Sequence, residues 1–305
     1  MDIWKNAYKS LLKDSSLKID DSRGKQLEGH IISNEVDRHK WTLPDGKLDY
    51  IFGVGTTVNF DLVGKYEPKY LIIADLSIDV LLCHRYFYNP LFKISEDPID
   101  FLRNINGQAT SSKSIKKEFK NMKNSEVSED WKKEIQETSI LSEIEKEILI
   151  LTVENSPSKT SPAPYKQIAN QVFFKDQFRY MYDASLALEV SRSLPPIVRF
   201  KNFNFLTNKK YYNHIRGLHV RNEVSYNITS ILNPDLYDQY DLNNQKVGIY
   251  FSNIFEFDKN TSLEVFANST LKSKTEDNCS FTLFNVKGKE TPFVYESYTL
   301  ENLNK

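Results

Sequence analysis

The fold is decided by Asp49-Tyr50-Ile51-Phe52-Gly53-Val54-Gly55-Thr56-Thr57-Val58-Asn59-Phe60, which continues through Asp61 to Lys69 into Tyr70-Leu71-Ile72-Ile73-Ala74-Asp75-Leu76-Ser77. The order of patterns is strand, glycine turn, helix, strand, with an acidic residue closing the second strand. Each part has a physical task in holding a nucleoside. Gly53 and Gly55 let the chain turn sharply and bring backbone N–H groups close to a ligand. The helix that follows aims its unsatisfied N–H groups at the same place. Asp75 lies about twenty residues past the turn, where a carboxylate accepts both ribose hydroxyls. The third glycine of the dinucleotide fingerprint is replaced by Val58, which argues against a pyrophosphate at the helix start and so against NAD or FAD. A ligand with a ribose and no phosphate fits better, and S-adenosylmethionine is the common one. The plain alternative is a structural turn joining two buried strands, with Asp75 exposed at a strand end.

Composition sets the surroundings of this unit. The chain has 305 residues, enough for one α/β domain with insertions. Lys plus Arg is 40 against 41 for Asp plus Glu, so no global charge draws it to nucleic acid or to an anionic membrane, and neither partner is expected. Cys83 and Cys279 are the two cysteines, too few for a disulfide framework or a zinc ribbon. Met1-Asp2-Ile3-Trp4-Lys5 lacks a basic stretch followed by an apolar one, and the most apolar run, Tyr70 to Cys83, is broken by Asp75 and Asp79. A soluble, cytoplasmic protein without a membrane span is expected.

Three units are expected along the chain. Residues 1–47 form an N-terminal helix, over residues 2–13, and a lid. Residues 48–104 and 196–305 form a Rossmann-like domain. Residues 105–195 form a helical insertion with linkers. Within the insertion, Trp131, Ile135, Leu141, Ile144, Ile148 and Leu151 mark a helix from Asp130 to Val153, and Ser156 to Pro164 reads as a stiff linker. A further helix is expected from Tyr165 to Leu194. Strands are expected at Ile197–Phe200 and Val247–Asn253, and alternation over Ser280–Val286 and Phe293–Tyr298 predicts a C-terminal β-hairpin.

Gly53-Val54-Gly55 with Asn59-Phe60, Ile72-Ile73-Ala74-Asp75, Leu81-Leu82-Cys83-His84 and Leu91-Phe92 resemble a family of uncharacterised bacterial proteins with a class I methyltransferase-like fold. Ser33-Asn34-Glu35 is similar to that family's N-terminal motif, and Tyr250 to Glu256 is similar to its fourth-strand motif. The skeleton is more distantly similar to the 3-amino-3-carboxypropyl transferases of betaine-lipid synthesis, which Asp97-Pro98-Ile99-Asp100-Phe101-Leu102 echoes. The resemblance implies an α/β, Rossmann-like class I methyltransferase fold that binds S-adenosylmethionine. It implies Gly53, Gly55 and Asn59 along the methionine part of the cofactor, Asp75 at the ribose, and Asn202 near the adenine amine, after the third strand. Ser252 and Asn253 would end the fourth strand facing the reaction centre. Methyl transfer to a small-molecule acceptor is the expected activity. Aminocarboxypropyl transfer and a non-catalytic binding module are the alternatives.

Other residues carry two readings each. His84 is either a general base or a hydrogen-bonded structural side chain. His214, Arg216, His219 and Arg221 either meet an anionic substrate or form a solvated basic helix face. Glu35 and Glu256 either deprotonate an acceptor or cap turns. Tyr180, Tyr182, Tyr211 and Tyr212 either cap a sulfonium or pack in the core. No metal-ligand spacing is present.

Overall fold

The computed structural model describes residues 41–55, 57–76, 80–81, 84–98, 100–101, 133, 135–139, 143, 146, 205, 208–252, 254–256, 261–275, 278–288 and 294–303. Six strands, β1 (Tyr50–Gly53), β2 (Tyr70–Asp75), β3 (Val224–Ile228), β4 (Lys246–Tyr250), β5 (Ser280–Lys287) and β6 (Val294–Thr299), make one mixed sheet. Their order is β3-β2-β1-β4-β5-β6. The first five are mutually parallel, and β6 runs antiparallel to β5, with Phe284 opposite Ser297. The class is α/β, and the C-terminal antiparallel pair falls where the alternation placed it.

The central strands are apolar almost throughout because both faces of a parallel sheet are covered. Ile51, Phe52, Leu71, Ile73, Val247 and Ile249 are all buried. The helix α1 (Thr57–Tyr66) joins β1 to β2, and α2 (Asn89–Ile94) follows β2. The helix α3 (Lys209–Val220) leads into β3; its first turn is closed by the Asn208 side chain, which accepts from the N–H groups of Lys210 and Tyr211. A Cβ at Gly64 of α1 would lie 2.5 Å from Cβ of Tyr211, so the two helices touch backbone to side chain.

Strand alternation sends Phe52 to the opposite face from Ile51 and Gly53. There it meets Tyr237, ring centroids 5.0 Å apart, from α4 (Pro234–Tyr237). Phe266 of α5 (Leu263–Phe266) reaches the same cluster, 6.1 Å from Tyr237. A π-type turn, Ala267–Leu271, carries α5 into α6 (Lys272–Thr275) and so into β5. Helices of the β1–β2 and β4–β5 crossovers thus lie on opposite faces, as right-handed crossovers in opposite directions require. Ahead of β1, Trp41 packs on Tyr250, Phe284 and Tyr295 and donates its indole N–H to Ser297 Oγ at 2.9 Å.

From β1 the chain steps to β2 and β3 on one side, then crosses to β4 and β5 on the other. The order reverses between β1 and β4, and in open parallel sheets the crevice outside the carboxyl ends at such a point is where ligands bind.

Some expectations meet differences. The strand beside β2 is Val224–Ile228, whereas the strand expected at Ile197–Phe200 lies outside the described residues. Val224-Ser225-Tyr226-Asn227-Ile228 carries Ser and Asn on one face, which hid it. The Asn227 amide donates to a tertiary partner, the Tyr240 hydroxyl, at 3.2 Å. In the helix expected over Asp130–Val153, residues 133, 135–137, 143 and 146 are helical, but Thr138 and Ser139 break it. The N-terminal helix, the 156–164 linker and the 165–194 helix lie outside the described residues. No helix among the described residues is long and apolar enough to cross a membrane.

Gly64→Ala separates packing from propensity. In an exposed helix this change gains up to ~1 kcal/mol, but here the methyl group meets Tyr211, and overpacking costs about 1–3 kcal/mol. A lower urea midpoint is expected, and a raised one would mean that α1 and α3 are not in close contact.

Candidate functional site

At the reversal point β1 ends in Gly53, the chain turns through Val54 and Gly55, and α1 begins at Thr57. The two glycines serve different ends. A Cβ at Gly53 would strike the Asn59 side chain, with Cγ only 2.7 Å away, so this glycine makes room for an internal amide. Gly55 has φ +66°, the left-handed region, and a Cβ there would have nothing within 4 Å. Its openness is what a ligand needs, and its φ is what glycine alone adopts without strain.

The peptide groups on both sides of Gly55 are held by side chains. The Gly55 N–H donates to Asp75 Oδ2 at 3.0 Å, across 20 residues of sequence. Asn59 Nδ2 donates to the Val54 carbonyl at 2.8 Å and reaches the Gly55 carbonyl at 3.4 Å. His84 Nε2 donates to the Gly55 carbonyl at 2.8 Å. The Val54 N–H donates to the Tyr250 carbonyl at 3.3 Å, tying the turn to β4. Asn59, Asp75 and His84, which the sequence pattern brought forward singly, therefore meet at one turn.

Their exposure differs. Asn59 and His84 are fully buried, while Asp75 is half-buried at the end of β2. His84 opens a π-type turn, His84–Tyr88, and its ring lies among Phe60, Tyr88 and Tyr226 at centroid distances of 5.5, 5.7 and 6.2 Å. Burial pushes its pKa down to about 4, opposed by the bond to Gly55, so the imidazole is neutral with its proton on Nε2. The bare Nδ1 has no hydrogen-bond partner among the described residues.

Ser252 follows β4 with φ +54°, a left-handed conformation in a residue that carries a side chain, and its carbonyl accepts the Val286 N–H at 2.9 Å. Two neighbouring strands, β1 and β4, are thus each followed by a left-handed residue, Gly55 and Ser252, at the same edge of the sheet. Strained backbone of this kind gathers at functional sites. Asn202 and Asn253 lie outside the described residues, as do Glu35, Tyr180 and Tyr182. The end of β3, which the resemblance gave to Asn202, is formed by Asn227, Ile228 and Thr229.

His214, Arg216, His219 and Arg221 do not form one solvated face. His219 is fully buried, stacked on Phe92 at 4.6 Å, with Nδ1 3.2 Å from Asn89 Oδ1, and burial holds its pKa well below the usual value. His214 is bonded to the Pro68 carbonyl, Arg216 to that of Ser95, and Arg221 to Glu223. Tyr212 is likewise a core residue, its hydroxyl donating to the Ser95 carbonyl at 3.1 Å. One functional-looking residue escaped the sequence reading. Asp61 is fully buried and its Oδ1 accepts the Phe205 N–H at 2.9 Å, which fastens residue 205 onto α1. Among the described residues no group of three or more His, Cys, Asp and Glu is placed to hold a metal ion.

A family defined as a domain of unknown function, DUF7790, matches residues 30–277, and the chain belongs to that family. The match takes in β1 to β4 and every residue of the turn, and it stops just before β5. No curated protein matches the chain.

Two measurements follow from this geometry. Gly55→Ala forces a side chain into the left-handed region, costing about 1 kcal/mol, whereas Gly53→Ala drives a methyl into Asn59 and costs about 1–3 kcal/mol. Urea unfolding is expected to rank Gly53→Ala as the more damaging. The second is the pH profile of stability. The unfolded chain protonates His84 and His219 below about pH 6.5, and the folded protein resists until near pH 4 for His84. Stability therefore falls as the pH drops from 6.5 to 5, by up to about 1.4 kcal/mol per unit for each histidine. A flat profile over that interval would show both imidazoles to be solvated.

Proposed function

We propose that the protein binds S-adenosylmethionine at the carboxyl ends of β1 and β2 and transfers its methyl group to a small-molecule acceptor. The observation that carries this reading is the left-handed, sterically open Gly55 bonded to the acidic end of β2, beside the point where the strand order reverses. The order 3-2-1-4-5 with a final antiparallel strand supports the finer description of the fold as Rossmann-like and of class I methyltransferase type.

In this reading the half-buried Asp75 carboxylate, whose Oδ2 accepts the Gly55 N–H, also meets the ribose hydroxyls. Gly55 lets the thioether chain pass close to the backbone. Ser252 follows the adjoining β4, on the acceptor's side. Methyl transfer is an in-line displacement: the acceptor's lone pair forms the new bond to the methyl carbon as the carbon–sulfur bond breaks, and the sulfonium leaves as a neutral thioether. Catalysis then rests on positioning.

A second reading, a nucleoside-binding module without turnover, is favoured by one observation. Asn59 and His84 are both buried and turned toward the loop itself.

Calorimetric titration with S-adenosylmethionine, followed by mass spectrometry after incubation with cell extract, tests these readings. S-adenosylhomocysteine is the expected product. Methylthioadenosine would instead indicate aminocarboxypropyl transfer, and binding without product would favour the module. Asp75→Ala is expected to weaken binding at least tenfold, the equivalent of losing about 1.5–3 kcal/mol of charge-assisted hydrogen bonding. Asp75→Asn keeps an acceptor for Gly55 and so separates loss of the ribose contact from loss of the turn. Unchanged affinity in both variants would overturn the ribose assignment.

A further inference from the structure

We infer that His84 is a positioning residue that sets the ligand-facing geometry of Gly55 and, through it, of Asp75. The inference deepens the reading of the turn as a nucleoside site and concerns how that site is held in shape. Gly55 lies between two peptide planes, whose relative rotation is set by its ψ together with its φ of +66°. One plane is fixed by the Gly55 N–H on Asp75 and by Asn59 on the Val54 carbonyl. The other plane is fixed at the Gly55 carbonyl, where His84 Nε2 makes the shorter of the two contacts, 2.8 Å against 3.4 Å for Asn59. Without that bond the second plane keeps the longer Asn59 contact alone among those described, and it can turn. Gly55 can then leave the left-handed region, which strains the bond from its N–H to Asp75.

The side chain itself supports this assignment. An aliphatic residue would fill the same space among Phe60, Tyr88 and Tyr226 with no polar atom to desolvate. Instead an imidazole is buried completely, with Nδ1 lacking a hydrogen-bond partner among the described residues and Nε2 engaged by Gly55. An unsatisfied buried nitrogen is unfavourable, so the bond from Nε2 is the evident reason for the residue. The backbone agrees: His84 opens the π-type turn His84–Tyr88, a local widening that is frequent where a helix aims a residue at a functional site. Because His84 is fully buried, it reaches a ligand only through Gly55.

The geometry dictates which substitutions preserve the effect. Glutamine carries its amide nitrogen at the ε position, where the donor is needed. Asparagine carries it at δ and falls short, and leucine has no donor. Wild type, His84→Gln, His84→Asn and His84→Leu are compared by affinity for S-adenosylmethionine and by hydrogen exchange, followed by mass spectrometry, of peptides spanning residues 53–60. His84→Gln is expected to stay within about threefold of wild type with the turn protected. His84→Leu and His84→Asn are expected to lose about tenfold in affinity, as for one hydrogen bond, and to exchange faster in those peptides than elsewhere in the sheet. If His84→Leu does not fold, the contrast between His84→Gln and His84→Asn carries the test. Wild-type protection and affinity in both His84→Asn and His84→Leu would overturn the inference. So would faster exchange of the turn in His84→Gln equal to that in His84→Asn. A wild-type protein that fails to bind S-adenosylmethionine strikes the proposed function alone, because the exchange of the turn still decides the role of His84.

Discussion

The left-handed conformation of Gly55 is held from three directions, by a carboxylate from β2, an amide from α1 and an imidazole from the turn before α2. Much of the surrounding architecture exists to bring those groups together. Gly53 must lack a side chain so that Asn59 can fold back over the end of β1. His84 must be buried beneath the turn, and Phe60, Tyr88 and Tyr226 supply its surroundings. Asp75 must end β2 level with Gly55, which the parallel register of Gly53 with Ile73 provides.

The same constraint explains why polar groups at the ends of apolar strands are tolerated. Asn59 and His84 are desolvated, and a buried polar group without a bond is costly. Here the backbone of the turn is held by these side chains and by the Tyr250 carbonyl of β4, which accepts the Val54 N–H. The arrangement is reciprocal, as in a helix cap, but assembled from three elements rather than one.

The turn was partly legible in the sequence because its parts follow one another at short and fixed separations. Gly55 and Asp75 could be found from spacing alone, and the strands around them from unbroken apolar runs. Gly53 shows the limit: its glycine was assigned to ligand approach, but its neighbour is an internal amide that only the folded turn brings near. Periodicity also misjudged α3. His214, Arg216, His219 and Arg221 read as a basic face, yet the first three are drawn to a carbonyl or an amide supplied by a distant segment, and Arg221 pairs with the nearby Glu223. β3 escaped for a related reason, since its Asn227 is polar in sequence and donates to Tyr240 in the fold.

What the sequence by itself determined, then, was the strand–turn–helix–strand unit, the acidic end of β2 and the antiparallel pair at the C-terminus. These depend on local backbone preference and on the alternation of apolar residues, which act between near neighbours. The tertiary structure decided the strand order, the identity of the third strand, and the use of Asn59, Asp75 and His84 on a single turn. Those depend on where separate segments meet in space. A hydrogen bond between Gly55 and His84 spans 29 residues, and the packing that creates it leaves no periodic trace.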